Sequence, residues 1–312
     1  MLPFTFNCWM VWGDPLCWKS FTEHADQISS VSIETANLSR SGQLRRPGGF
    51  NPDQLKSLVK QAHDHKVAIY GLVANAGFDP SGVELLIAQP EPRLKHAAEI
   101  AEMAKKDGID GVDLDYESLK AADRDNFSAF VKNLADECHK RKLKLVIALQ
   151  AKTSEPGTWD GNIAEDYVAI GKAVDYARVM TYDEHWSTGD PGAIASRSWV
   201  EQVLRFALTV IPPKKLDGGL PSYGLDWNTA TKKEAGEVTF ASFTELAKTN
   251  VAQRDETGEL HLTYPDHQVW YEDAVAARWK RDLAQKLGCH GLAMWRLGSE
   301  DPGLWEFLPK RH

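Results

Sequence analysis

The chain has 312 residues, 43% of them hydrophobic and 26% charged, proportions that supply a large core and exclude wholesale disorder. Its 44 acidic residues outnumber 36 basic ones, for a formal charge of -8, which gives no general attraction to phosphate backbones and argues against nucleic-acid binding. Four cysteines in no CxxC pair exclude a disulfide scaffold and a cysteine metal site, and the absence of any run of about 18 apolar residues argues against a membrane span.

The opening, MLPFTFNCWMVWG, lacks a basic n-region and a small-residue cleavage pattern, so it reads as a first buried strand, FTFNCWMVW (4–12), rather than a signal peptide. No compartment follows from it. Helical material around 20–27 precedes a second strand, SSVSIETANL (29–38), and a polar loop. In 51–66, Leu55, Leu58, Val59 and Ala62 recur at helical spacing behind an Asn51-Pro52 start, as an amphipathic helix requires. KVAIYGLVAN (66–75) is the third strand, and 92–108 a helix closed by Gly108, the residue type that ends helices in a left-handed turn. IDGVDLDYE (109–117), a helix at 123–141, LKLVIALQAKT (143–153), a short helix at 165–174 and YARVMTYDEHW (176–186) continue the alternation. A helix at 199–211, a strand and its loop at 215–227, a helix at 274–288 and HGLAMWRLG (290–298) complete it.

This β–α order predicts parallel strands covered by helices. Eight such units favour a closed (β/α)8 TIM barrel over an open doubly wound sheet, and no GxGxxG or GxxxxGK[ST] supports a nucleotide fold. The α/β chain is expected to be one domain over 1–312, with a small α+β insertion after strand seven at about 228–273. EVTFASFTEL and ELHLTYPDHQVWYED supply its short strands and helix.

The strongest chemical feature is DGVDLDYE, Asp110 to Glu117. Strand side chains alternate faces, so Asp113, Asp115 and Glu117 form one row, spaced roughly 7 Å apart before twist. Three carboxylates on a buried face repel one another and are poorly solvated, so at least one holds a proton near neutral pH. A protonated carboxyl held by another acid is what general-acid catalysis requires. The competing readings are a hard-cation site and an exposed acidic edge; the spacing of an EF-hand loop is absent.

A second cluster is MTYDEHW, Met180 to Trp186. Met180 and Tyr182 share a face with Asp183 at the rim; a tyrosine hydroxyl can hold a carbonyl, and an aspartate a sugar hydroxyl. A tyrosine at a strand end also serves as ordinary core, but the polar run Asp183-Glu184-His185 favours a site, with His185 the lesser candidate. In the third cluster, GLAMWRLGSED, Trp295 falls near the end of strand eight, where an indole can floor a pocket and pack on an apolar sugar face. Among 11 tryptophans, Trp9, Trp12, Trp186 and Trp227 also fall near strand ends or the loops that follow. Aromatic surfaces around an acidic centre suit an uncharged carbohydrate.

DGVDLDYE matches the DxxDxDxE signature of family 18 glycoside hydrolases, the chitinases, endo-β-N-acetylglucosaminidases and their relatives. MTYDEHW, DPGAIAS, LPSYGLDW, VWYEDAVAARWK and AMWRLGSEDPGLW further resemble the YaaH-type bacterial branch, which includes spore-cortex peptidoglycan hydrolases. The resemblance covers essentially 60–308. It implies Glu117 as general acid/base, Asp115 orienting the substrate's 2-acetamido group and sharing a proton with Glu117, and Asp113 supporting Asp115. It further implies Tyr182 on the acetamido oxygen, Asp183 positioning the reacting sugar and Trp295 as its floor, with Asp110 supporting the strand. From their places at the end of the same strand and in its loop, Met180 and Trp186 are expected to bind substrate as well. No cofactor or catalytic metal is implied. The third strand ends LVANAGFD rather than in the SxGG frequent among chitinases, and no LysM repeat is recognisable. The resemblance thus implies retaining hydrolysis of β-linked N-acetylglucosamine glycosides, in peptidoglycan-derived or chitin-like glycans. The alternative is a non-catalytic carbohydrate-binding protein on the same barrel. Oligomeric state leaves no mark on the sequence.

Overall fold

The structure is a computed structural model that describes residues 4–231 and 233–311. Eight parallel strands form its centre: β1 Thr5–Met10, β2 Ser30–Leu38, β3 Ala68–Asn75, β4 Gly111–Asp115, β5 Lys144–Gln150, β6 Tyr176–Met180, β7 Leu216–Pro221 and β8 Gly291–Trp295. Each pairs with its sequence neighbours, and β1 pairs with both β2 and β8, which closes the sheet into a barrel. Helices wrap the outside. Their apolar faces meet the outward residues of the strands, such as Val112, Leu114, Ala177 and Val179, all fully buried. Closure removes every edge from the parallel sheet, and this (β/α)8 arrangement matches the alternation in the sequence.

Local chemistry sets the element ends. Asn51 caps the helix Pro52–Asp64 by accepting from the N–H groups of Asp53 and Gln54, satisfying donors that the first helical turn leaves free. Gly108, at φ 72°, ends the helix Pro90–Asp107 in the left-handed conformation that costs glycine least. The first helix runs Pro15–His24, earlier than the expected 20–27, because Asp14 caps it and Pro15 takes its first position. A short helix over Ser81–Ile87 lies between β3 and the helix Pro90–Asp107. A two-residue strand, Leu44–Arg45, pairs antiparallel with the end of β2 inside the expected polar loop. All four cysteines are buried and free.

The excursion after β7 is a five-stranded antiparallel sheet in the order Gly236–Val238, Gly224–Asn228, His267–Tyr271, Leu260–Tyr264, Gln253–Arg254, with a helix over Phe240–Leu246. It opens at Gly224, ahead of 228, because a segment readable as the loop of β7 finds strand partners at His267–Tyr271, some forty residues later. Val238, Phe243, Leu262, Val269 and Tyr271 form its own small core. Buried Glu259 ties it to the barrel, accepting from the backbone N–H groups of Ile194 at 2.8 Å and Ala195 at 2.6 Å.

Candidate active site

The C-terminal ends of the strands converge on one mouth, where barrel folds carry their chemistry. Asp115 ends β4, and Glu117 lies two residues past the strand. The backbone of Glu117 is clamped by Asn75 at the end of β3: the Asn75 side-chain oxygen accepts from the Glu117 N–H at 2.8 Å, and its amide donates to the Glu117 carbonyl at 3.0 Å. This clamp fixes the Glu117 backbone against the end of β3, and the Glu117 and Asp115 carboxyls share a hydrogen bond.

Burial pushes Asp115 well above the usual carboxylate range, and the charges of Glu117, Asp113 and Glu34 add to it. Glu117 is pushed up to about 7, chiefly by burial. Two opposing effects act on it: the Gln150 amide donates to Glu117 Oε2 at 2.6 Å and favours the anion, whereas the Asp183 charge favours the acid. The pair is therefore held toward the protonated form around neutrality, as a group that must give a proton requires. Gln150 is itself fixed at both backbone ends, its N–H donating to Glu165 Oε2 at 2.7 Å and its carbonyl accepting from Tyr167 Oη at 2.5 Å.

Asp113 lies one strand step deeper and is fully buried. Its Oδ2 accepts from Trp9 Nε1 at 2.9 Å and from Arg178 Nη1 at 2.7 Å. Tyr182 is buried beside the acids, two residues beyond β6, and packs edge-on against Tyr223 with ring centroids 6.3 Å apart. Gly219 on β7 makes room for it, since a Cβ there would fall 2.9 Å from the Tyr182 ring and 2.6 Å from the Thr181 backbone nitrogen. Asp183 adopts φ 58°, a left-handed conformation unusual outside glycine, and receives a hydrogen bond from the Tyr223 hydroxyl.

Asp183, Trp186, Tyr223 and Trp295 line a cleft of about 230 Å³, with Leu225 and Glu237 of the inserted sheet on one side. Trp295 is half-buried at the end of β8, and the peptide that follows it is cis. Met180 and Trp295 pack on Trp9, Leu72, Ala148 and Ala293 inside the barrel. Trp186 is 56% exposed, open for a flat ligand face.

The other candidates lie elsewhere. Asp110 sits at the opposite end of β4, its Oδ2 accepting from the Ile69 N–H at 2.8 Å and lying 2.9 Å from His63 Nε2. The Nδ1 of His185 lies 2.9 Å from the Asp190 carbonyl oxygen in a loop turn. Trp9 and Trp227 are buried and offer no face to a sugar, and Trp12 packs on Trp18 and Phe50. The described residues contain no group of three or more His, Cys, Asp or Glu placed to hold a metal ion, and no helix among them is long and apolar enough to cross a membrane.

The model for the glycosyl hydrolases family 18 matches residues 20–301. The chain belongs to that family. The cortical fragment-lytic enzyme of Bacillus subtilis is 30% identical over 299 residues, covering 92% of this chain and 68% of that protein. The uncharacterized glycosylase YvbX of the same species is 26% identical over 96% of this chain and 89% of its own length. A Chromobacterium violaceum chitinase structure superposes with a TM-score of 0.88 at 25% identity, covering 97% of each chain. The spore cortex-lytic enzyme SleL of Bacillus cereus shares the fold, with a TM-score of 0.88 at 23% identity over 98% of this chain and 73% of that one.

The chain is thus a chitinase-like family 18 glycoside hydrolase, and it carries groups around the acids that spacing alone did not single out. Asn75 and Gln150 are polar residues at the last positions of β3 and β5, a location that signals function in a barrel. Arg178 lies two residues before Met180 on the inward face of β6, so extending the Met180–Tyr182 row inward reaches it. Tyr223 and Glu165 carry no comparable signal.

Proposed function

We propose that this family 18 hydrolase cleaves β-linked N-acetylglucosamine glycosides in peptidoglycan-derived or chitin-like glycans, with retention, by substrate-assisted catalysis. The observation that carries the reading is the hydrogen-bonded Asp115–Glu117 pair, with Glu117 pushed up to about 7, at the mouth near Tyr182. Glu117 protonates the leaving oxygen. Asp115 accepts from the acetamido N–H, and the Tyr182 hydroxyl holds the acetamido oxygen as it attacks the anomeric carbon. That attack forms an oxazolinium ion, and a water deprotonated by Glu117 opens it. The substrate supplies the nucleophile, an exception to the two-carboxylate scheme. A single enzymic acid/base then suffices, and the second carboxyl serves orientation.

Asp183 and Trp186 position the sugar and its neighbour, Trp295 floors the reacting ring, and Met180 packs beneath it. The cortical fragment-lytic relative supports peptidoglycan-derived glycans and the chitinase neighbour supports chitin-like ones. The test is a product profile by mass spectrometry on chitooligosaccharides and on cortex and vegetative muropeptides in parallel, with the first anomer formed read by NMR. Cleavage at N-acetylglucosamine with a β product supports the reading. No cleavage of any of these glycans, or an α product, refutes it.

A further inference from the structure

Of the chain's 11 tryptophans, only Trp159 and Trp186 are exposed, by 47% and 56%. Both stand on loops at the C-terminal mouth, Trp159 after β5 and Trp186 after β6. Trp186 lines the cleft described above, and Trp159 does not. An indole left in water forgoes the burial of a large apolar surface, so its surroundings decide whether it is a loose loop residue or a fixed platform. The Asn162 side-chain oxygen accepts from the N–H groups of Thr158 at 2.9 Å and Trp159 at 3.2 Å, and its amide donates to the Ala151 carbonyl at 3.2 Å. The Trp159 carbonyl accepts from the Ile163 N–H at 2.9 Å. Beneath the loop, Lys152 is 4% exposed, and its Nζ donates to the carbonyls of Asn162 at 3.0 Å, Pro156 at 3.4 Å and Glu165. The indole lies against the Gly161 backbone: a Cβ at 161 would fall 2.1 Å from its Cζ3 and 2.3 Å from its Cη2. Glycine lets the ring lie down there, while the rest of the ring stays open to water. A buried ammonium is costly unless its donors are satisfied, and the donors of Lys152 hold this one loop in place.

The place of this loop follows from the strand order. In the closed ring, β4, with Glu117 beyond it, stands opposite β8, which ends in Trp295. A glycan whose reacting sugar rests on Trp295 and whose scissile oxygen meets Glu117 therefore runs on toward the rim above β4 and β5. Arg124, the first residue of the helix Arg124–Lys140, ties that rim together. It donates to the Ile163 carbonyl at 2.6 Å and to Glu155 Oε2 at 2.8 Å, so the loops after β4 and β5 are joined. We propose that Trp159 is the platform of a further binding subsite, on the leaving-group side of Glu117, that takes an uncharged N-acetylglucosamine unit by its apolar face. The proposal rests on the roles of Glu117 and Trp295 given above. The C–H face of a pyranose packs on an indole without a charged partner, and a platform fixed before binding costs little ordering entropy. Trp159 takes no part in proton transfer. Its effect grows with chain length, because only a chain that extends past Glu117 reaches it.

The experiment measures calorimetric affinity for chitooligosaccharides of two to six units in the Glu117→Gln chain, alone and combined with Trp159→Ala, Trp159→Phe or Gly161→Ala. Folding is checked by circular dichroism, and the Trp159 indole N–H signal, assigned by its loss in Trp159→Ala, is followed by NMR. Trp159→Ala should cut the affinity gained between two and six units by about 2- to 10-fold, the size of one aromatic contact, and Trp159→Phe should keep most of that gain. Gly161→Ala should reproduce the loss with the indole still present, because the new Cβ displaces the ring. The six-unit sugar should move the indole signal more than the two-unit sugar does. In the chain that retains Glu117, Trp159→Ala should raise KM for the six-unit sugar more than it lowers kcat.

A folded Trp159→Ala whose affinity depends on chain length as the parent's does overturns the proposal, and so does an indole signal that the six-unit sugar leaves unmoved. A Gly161→Ala chain that binds like its parent also overturns it. If an alanine variant does not fold, the indole signal and Trp159→Phe decide in the same way. These affinities are read without turnover. A wild type that binds through Trp159 yet cleaves no glycan therefore defeats the proposed function and leaves the subsite standing, whereas cleavage of every chain length without help from Trp159 does the reverse.

Discussion

Gln150→Met isolates one of the effects that set the acid strength of Glu117. The Gln150 amide donates to Glu117 Oε2 at 2.6 Å, and methionine keeps the side-chain length while removing the donor. The backbone at 150 is held independently by Glu165 and Tyr167, so the strand end stays in place. A hydrogen bond to a charged group is worth about 1.5–3 kcal/mol, and 1.36 kcal/mol corresponds to about one pKa unit. Water entering the mouth replaces part of the lost bond at half-buried Glu117, which brings the expected rise to about one unit. The lost donor stabilised the anion, so the variant holds its proton to higher pH. The basic limb of kcat/KM, which marks the loss of the acid in the free enzyme, should move from about 7 to about 8. Initial rates across pH on a chitooligosaccharide with an unactivated leaving group provide the assay. A folded variant whose basic limb is unmoved or falls would refute the role assigned to the amide.

Glu117→Gln should cut turnover by about 10⁴-fold, the upper end of general acid–base contributions, while oligosaccharide binding measured by calorimetry survives; near-normal turnover by a folded variant would eliminate the mechanism. The same variant carries a stability prediction. Glu117 is pushed up to about 7 in the folded protein from an ordinary value of 4.5, so the folded state binds the extra proton between those values and stability falls as pH rises through that window. The glutamine variant escapes this loss, by at most about 3 kcal/mol above pH 7, and its melting temperature should exceed wild type at pH 8 more than at pH 5. Asp115→Asn should lower kcat by about 10²–10³-fold, the size of losing one group that acts on the transition state; an unchanged rate would show that acetamido steering lies elsewhere. Trp186→Ala, at an exposed position, should weaken binding of long oligosaccharides without lowering the melting temperature, whereas Trp295→Ala, packed on the barrel interior, should lower both, and equal melting temperatures would contradict that contrast.

The barrel and the acid row were legible in the amino-acid order. Eight β–α units have few ways to bury a parallel sheet, and closure into a barrel is the arrangement that leaves no edge. Asp113 and Asp115 share a face because strand periodicity is strictly two. These are local rules, legible over a few residues, and Met180, Tyr182 and Trp295 followed from the same logic at the ends of β6 and β8. Contacts between strands distant in the chain emerge only on folding. Glu117 lies beyond the end of β4, and its place depends on Asn75, 42 residues earlier; its acid strength depends on Gln150, 33 residues later. Trp9 looked like a sugar platform at a strand end, but the closed barrel turns its indole inward onto Asp113, 104 residues away. The inserted sheet opens at Gly224 because its partner strand comes only at His267–Tyr271. Each of these depends on which side chains the folded barrel brings within hydrogen-bonding distance, and hydrogen bonds and charges act over a few ångströms of space, whatever the separation along the chain.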